Sequence, residues 1–177
     1  RRGRRPGDGG WAGGRDDQPH GRGVKMHLAH YLGLLHRAQV NLAGALRQVG
    51  AAHRDEPDVY HLCHQQAERC DEYAELLQPF AARYAEEAPA EPDRLHSNLF
   101  GGARTGGIGL LRDLQDLYLM AAECDICWTV VGQAAYGARD RDLLAVVRRC
   151  EGGTAMQLKW LRSRMKQAAP QALVVAD

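Results

Sequence analysis

Apolar residues recur at alternating steps of three and four along most of the chain. Such spacing places side chains on one face of an α-helix and predicts an amphipathic helix. In the first of these stripes, which begins after Met26, one position is occupied by an amide, Gln39, instead of an apolar residue. The apolar members of this stripe are Leu28, Leu32, Leu35, Leu42, Leu46 and Val49.

Three further stripes with the same spacing run through residues 59–84, 110–135 and 143–165. No run of β-branched residues indicates a strand. Each of the four segments has about 28 residues and would form a helix ~42 Å long. Four helices that each bury one face predict an all-α fold, an antiparallel four-helix bundle.

Prolines, glycines and one aspartate predict where the helices begin and end. Pro57 is well placed to open the second helix, and Pro79 should kink or loosen the last turns of that helix. Gly137 is expected to cap the end of the third helix, and Asp140 the start of the fourth. Pro170 should close the fourth helix.

The segments outside the stripes have a different composition. Residues 85–106 contain prolines and glycines and predict a long connection between the second and third helices, with one helical turn near 95–100. Residues 1–25 contain eight glycines and almost no apolar side chains, which predicts a disordered tail. The expected organisation is therefore this tail, a bundle over 26–169 and a C-terminal tail over 170–177.

Composition narrows the class of protein. With 177 residues, of which 45% are hydrophobic and 25% charged, the chain suits one globular domain. Residues 1–25 hold seven bases and three acids, so the remainder is slightly acidic and predicts no specific nucleic-acid partner. The longest apolar stretch, 117–136, contains Glu123 and Asp125, which argues against a membrane span. Five cysteines without a framework spacing favour free thiols in the cytoplasm.

The inward positions near the helix midpoints are where a four-helix bundle places its chemistry. Gln39 is a buried amide that needs a partner, either a hydrogen bond that fixes helix register or a metal ion. The other midpoint residues, on or beside the stripes, are Cys63, Gln66, Ala67, Cys70, Met120, Glu123, Cys124, Cys150, Glu151 and Thr154.

Four sequence stretches carry a resemblance to a known family. They are "HRAQVNLAGAL", "HLCHQQAERCDEYAELL", "AAECDICW" and "LLAVVRRCEGGTAMQL". The chain resembles the ferritin-like superfamily from about His30 to Leu161, and within it the small stress-inducible ferritin-like proteins of bacteria. The resemblance implies four helices, a crossover between the second and third, and a di-iron carboxylate site at the bundle centre.

Carried over residue by residue, the resemblance implies an incomplete set of metal ligands. Gln39 stands at a family glutamate, and the family's Glu-x-x-His falls near Ala67 and Cys70. Glu123 and Glu151 match carboxylate ligands, and Thr154 stands where a histidine is frequent. Two irons need more hard ligands than this set provides, so ferroxidase activity is not expected.

Histidines and cysteines offer further candidates. Six of the eight histidines lie between residues 27 and 64, but most lie off the stripes and diverge, as surface or interface residues do. His64 lies on a stripe flank and remains a candidate ligand. Cys124-x-x-Cys127 lies mid-helix, which favours packing over redox chemistry. The five cysteines together leave open a Cu(I) or Zn(II) thiolate site in the core.

Two functions follow from this pattern. The first is a non-catalytic ferritin-like module with a stress-associated or interaction role, acting as a homo-oligomer (a dimer) or with a protein partner. The second is a metal-binding or redox-active protein with an altered mononuclear carboxylate and thiolate site. The candidate ligands, for iron or zinc, are Gln39, His64, Cys70, Glu123 and Glu151.

Overall fold

The computed structural model describes residues 20–85 and 98–175, with side chains described for 27–84 and 98–175. Four helices account for most of these residues: α1 (His20–Ala52), α2 (Pro57–Ala85), α3 (Gly106–Gly137) and α4 (Arg141–Pro170). The described residues include no strand, so the predicted all-α class is confirmed. None of the described helices is both long enough and apolar enough to span a bilayer.

Helix α1 begins earlier than its apolar stripe. It starts at His20 rather than near Met26, so the predicted tail over 1–25 is too long by six residues. Once a helix is nucleated, each added residue needs only its backbone hydrogen bond and no apolar partner. The rest of the predicted tail, and most of the predicted connection over 85–106, lie outside the described residues. The described residues 98–105 contain no helical turn.

One of the predicted helix caps is confirmed and another is wrong. Asp140 caps α4 as predicted, since its carboxylate accepts a 3.1 Å hydrogen bond from the Leu143 amide. The prediction of Gly137 as the C-cap of α3 is wrong, because the next residue, Ala138, still has right-handed helical dihedrals. The chain reverses at Arg139, which has a φ of 57°. In α2, the helix continues through Pro79 to its end at Ala85.

The described residues beyond Pro170 are more ordered than the predicted tail. A π-helical turn, Gln171–Val175, continues α4 beyond Pro170. Ala172 is buried, and a Cβ atom built on Gly107 would lie 3.7 Å from its Cα atom. This turn therefore packs on the beginning of α3, and the described part of the predicted tail over 170–177 belongs to the folded domain.

The four apolar stripes meet in one core. Every apolar member of the first stripe is buried, which confirms that prediction. The largest side chains with essentially no exposed surface are Trp128, Leu32, Leu35, Leu42, Leu46, Leu77, Leu114, Leu117, Leu143 and Leu161. Burying each leucine contributes about 2 kcal/mol relative to the exposed side chain, so these stripes provide most of the drive to fold.

The helices pack in the order α1, α2, α4, α3 around this core. α1 packs most closely on α2 and also contacts α3, whereas α4 packs on α3 and approaches α2 least. Polar side chains join α2 to α4 instead: Arg164 pairs with Glu56 and Asp58, at 2.7 and 2.8 Å. At the other end of α4, Asp140 accepts a 2.8 Å hydrogen bond from Tyr84.

A glycine in α4 makes room for an aromatic side chain from α2. A Cβ atom on Gly153 would lie 1.8 Å from the hydroxyl oxygen of Tyr73, so the phenol rests directly on the α4 backbone. The Tyr73 ring also packs edge-on against Trp128, with 6.1 Å between ring centroids. Burial raises the pKa of the Tyr73 hydroxyl above its usual value. The neighbouring Gly152 has no such contact.

We expect opposite effects from two adjacent substitutions. Gly152→Ala should stabilise the protein by about 0.5–1 kcal/mol, the ordinary gain of alanine over glycine in a helix. Gly153→Ala should destabilise it by about 1–3 kcal/mol, because the new methyl group displaces Tyr73. Urea unfolding of both variants measures the difference. Equal stabilisation by the two substitutions would contradict the packing of Tyr73 on Gly153.

Candidate functional site

The polar residues buried near the midpoints of the helices are neutral. Gln39 is 1% exposed, and its Nε2 atom has no hydrogen-bond partner among the described residues. Thr154 donates a 3.4 Å hydrogen bond to the carbonyl of Cys150, four residues earlier. Gln157 donates from Nε2 to the Cys70 sulfur at 3.6 Å. Amide, hydroxyl and thiol groups therefore occupy the interior where the resemblance implies charged ligands.

Gln66 and Trp128 also have buried polar atoms that are unsatisfied. The Oε1 atom of Gln66 and the Nε1 atom of Trp128 have no hydrogen-bond partner within the described part of the chain. A buried polar atom without a partner costs about 1–3 kcal/mol, and internal water is the usual remedy. The chemistry available here is that of single neutral donors and acceptors.

The two candidate carboxylates lie in different cavities. Glu123 is half-buried and lines a cavity of about 420 Å³ between α1 and α3, together with Asn41, Gln48 and Asn98. Glu151 is exposed and lines a groove of about 350 Å³ between α3 and α4, where Arg148 also lies. Because these openings lie on different helix pairs, the two carboxylates do not face a common point.

His64 and Cys70 are engaged elsewhere. The Nδ1 atom of His64 lies 2.7 Å from the Tyr60 carbonyl, which can only accept, so Nδ1 carries the proton. The same ring packs on α1, since a Cβ atom on Gly50 would lie 3.0 Å from Nδ1. Cys70 faces Gln157 in the core. The five predicted ligands therefore lie in different parts of the structure. No three His, Cys, Asp or Glu residues of the described chain group around a possible metal position.

A di-iron centre does not fit these residues. In the ferritin-like di-iron proteins, glutamates and histidines project into the bundle core from all four helices. Here Gln39 provides an uncharged amide, Cys70 a thiol bonded to Gln157, and Thr154 a hydroxyl bonded to its own helix. The residues at this centre therefore do not support di-iron chemistry.

The five cysteines are all free and buried. Burial raises the pKa of Cys70 and Cys127 to about 11 and that of Cys63 and Cys150 to about 12. For Cys124, burial raises the pKa well above the usual value. Cu(I) and Zn(II) bind the thiolate form. These thiols are protonated at neutral pH, which favours packing, including at Cys124-x-x-Cys127.

The most strongly bonded polar group of the interior was not among the predicted site residues. Asp113 in α3 has no exposed surface. Its carboxylate accepts a hydrogen bond from His53 Nε2 at 2.9 Å, from the Arg104 amide at 2.8 Å and from the Arg104 guanidinium at 2.6 Å. Arg104 also reaches Asp116 at 2.8 Å. We call these four residues the Asp113 cluster.

The Asp113 cluster connects three segments of the chain. His53 follows the end of α1, Arg104 lies just before α3, and the two aspartates lie in the first turns of α3. Bonds to Asp116 and Asp113 raise the pKa of Arg104. The sequence did indicate such a group, because Asp113 lies next to Leu114 on the side of α3 that carries the buried stripe. A carboxylate in that position requires a cationic partner. The signal did not identify that partner, because Arg104 and His53 lie outside the helices.

Comparison of the chain with protein-family models, with curated protein sequences and with solved structures gives no match.

The raised thiol pKa values predict a loss of stability in alkaline solution. A thiol with a pKa near 9.0 when unfolded and about 11–12 when folded holds its proton more tightly in the folded state. The contribution of this proton to the free energy of unfolding is fully present below pH 9.0. It is lost as the pH rises toward the folded pKa. Melting temperatures measured between pH 8 and 11 should fall. The Cys63→Ala variant, which binds one proton fewer, should show a shallower slope, and an unchanged slope would contradict this origin.

We expect the Asp113 cluster to be the costliest polar group to disrupt. Asp113→Ala removes three hydrogen bonds and leaves His53 buried without its partner, so stability should fall by about 3 kcal/mol. Asp125→Ala, a half-buried aspartate on the same helix, should change stability by no more than about 0.5 kcal/mol. Urea unfolding measures both variants. Similar losses in the two variants would show that the cluster contributes no more to stability than Asp125 does.

Proposed function

We propose that the protein is a ferritin-like antiparallel four-helix bundle that has no di-iron centre and serves as a non-catalytic interaction or assembly module. In this proposal, the family's fold is retained and its metal chemistry is not. The stress-associated role that the resemblance implies belongs to the same proposal.

The contacts at the helix ends support the antiparallel bundle. His53 after α1 bonds to Asp113 near the start of α3. Arg164 near the end of α4 pairs with Asp58 at the start of α2. Tyr84 near the end of α2 bonds to the residue that caps α4. The start of α3 and the end of α2 therefore lie at opposite ends, as the crossover of the ferritin-like fold requires.

The observation that carries the functional proposal is the neutral centre. At the ligand positions that the resemblance implies, the buried side chains are Gln39, Cys70 and Thr154. A glutamine keeps the shape of a glutamate but not its charge, and a thiol with a pKa of about 11 stays protonated. Such residues maintain helix packing and register without holding a pair of hard cations.

Metal content tests the proposal directly. Protein purified from iron-supplemented cells should contain far less than one iron per chain by elemental analysis. Two irons per chain would overturn the proposal. One iron or zinc per chain, lost in Glu151→Ala, would instead indicate the mononuclear site of Glu123, Glu151, Cys70 and His64.

Two substitutions at Gln39 test the same point through stability. Gln39→Leu should be neutral or stabilising, because it removes a buried amide together with its unmet hydrogen bond at similar volume. Gln39→Glu should destabilise the protein by several kcal/mol, because it buries a carboxylate without a cation. Melting curves with and without ferrous or zinc ions measure both effects. Stabilisation of the glutamate variant by either metal would contradict a centre that cannot hold one.

A further inference from the structure

Exposed apolar side chains concentrate on one helix. Of the eleven large apolar side chains described as exposed, α3 holds five, the π-helical turn after α4 three, α1 two, α4 one and α2 none. The five on α3 are Ile108, Leu119, Ile126, Val130 and Tyr136. A single exposed apolar residue is ordinary, but a set aligned on one helix indicates an interaction surface.

Four of these residues form a second stripe, on the side of α3 that faces away from the core. Ile126 lies two residues beyond the buried Cys124, or about 200° around the helix. Positions 108, 112, 115, 119, 122, 126 and 130 follow steps of three and four, the spacing of a helix-pairing seam. We call Ile108, Leu119, Ala122, Ile126 and Val130 the outer face of α3. Ile108 and Ile126 are 65% and 64% exposed, and Leu119 is 51% exposed.

Charge favours a second copy of this chain as the partner. Along this seam, Arg112 is the only charged residue. In a twofold contact, the same surface meets itself, so every charge has a like charge on the other subunit. Antiparallel pairing about Ala122 would keep the two Arg112 side chains roughly 30 Å apart along the helices. The two Arg112 charges therefore do not repel each other in this pairing.

The size of the face also suits self-association. The seam from Ile108 to Val130 is about 33 Å long, and a helix about 12 Å wide covers roughly 400 Å² over that length. Val40 on α1 and Tyr136 on α3 flank it and are 46% and 72% exposed. With these flanks, two subunits approach the ~1,000 Å² that separates specific interfaces from incidental contacts. Ala122 lies at the midpoint of α3 and has a small side chain, which allows close approach of the helices.

We propose that two copies of the chain associate through the outer faces of α3, with the two helices antiparallel and Leu119 of each opposite Ile126 of the other. This deepens the proposed interaction role by naming the partner, and it rests on that role. The test reads molecular mass rather than metal content, so its failure is distinguishable from the failure of the proposed bundle centre.

Sedimentation velocity of the full chain at micromolar concentrations should give twice the chain mass of 19.5 kDa. Ile126→Asp should weaken the dimer by about 100-fold or more, because it places two carboxylates in an apolar seam. The helical circular dichroism should be unchanged, since Ile126 is exposed in the single chain. The matched control is Met156→Asp, an equally exposed apolar residue on α4 (60%). It should leave the dimer intact.

An introduced thiol tests the geometry. Ala122→Cys places two thiols beside the twofold axis, and mild oxidation should link them into a covalent dimer. Met156→Cys should give none, and the five buried native thiols should not react. A wild-type chain that stays monomeric, or a dimer that survives Ile126→Asp but dissociates with Met156→Asp, would overturn the proposal. Cross-linking through Met156→Cys alone would do the same.

Discussion

A carboxylate with no exposed surface constrains the arrangement of the helices more than any other single group. The buried carboxylate of Asp113 has its hydrogen-bond partners only while the donors of His53 and Arg104 stay within hydrogen-bond distance. Those donors come from the end of α1 and from the segment that leads into α3. The leucine stripes can slide past one another at modest cost, because dispersion and hydrophobic burial are not directional. The Asp113 cluster is directional, so it fixes which turn of α3 lies beside the end of α1.

The interior of the molecule therefore holds its buried charged group away from the midpoint, where a bundle would bind a metal. Its fully buried acid is neutralised at one end of the fold, whereas the midpoint contains an amide, a thiol and a hydroxyl. In a metal-binding bundle, we would expect the reverse distribution, with acids at the midpoint and apolar residues toward the ends. The carboxylates that match the resemblance, Glu123 and Glu151, line openings on two different helix pairs. This distribution is the physical basis of the proposed interaction role.

The all-α class and the four stripes could be predicted because helical periodicity is a local property. The cap formed by Asp140 was predictable for the same reason, since an N-cap bonds to an amide three residues away. The end of α3 was not, because Arg139 adopts a left-handed conformation that glycine more often provides. The candidate ligands were predicted from the angular position of each residue around its own helix. Whether Glu123 and Glu151 share a cavity depends on how helices pair, which spacing within one helix does not encode. The partners of Asp113 were missed because they lie outside the helices, sixty and nine residues away.

The Asp113 cluster also acts as a pivot for α1. It holds α1 to α3 at one end, and the 420 Å³ cavity lined by Gly44, Gln48 and Glu123 lies farther along the same pair of helices. Gly44 is nine residues from His53, a lever arm of about 13 Å. A 5° tilt of α1 about that pivot moves the cavity wall by only about 1 Å, but moves the far end of the helix by more than about 3 Å. Because the cavity lies close to the fixed end of α1, such a tilt would change its width little, whereas the far end would have to pull the buried Leu28 and Leu32 out of the core.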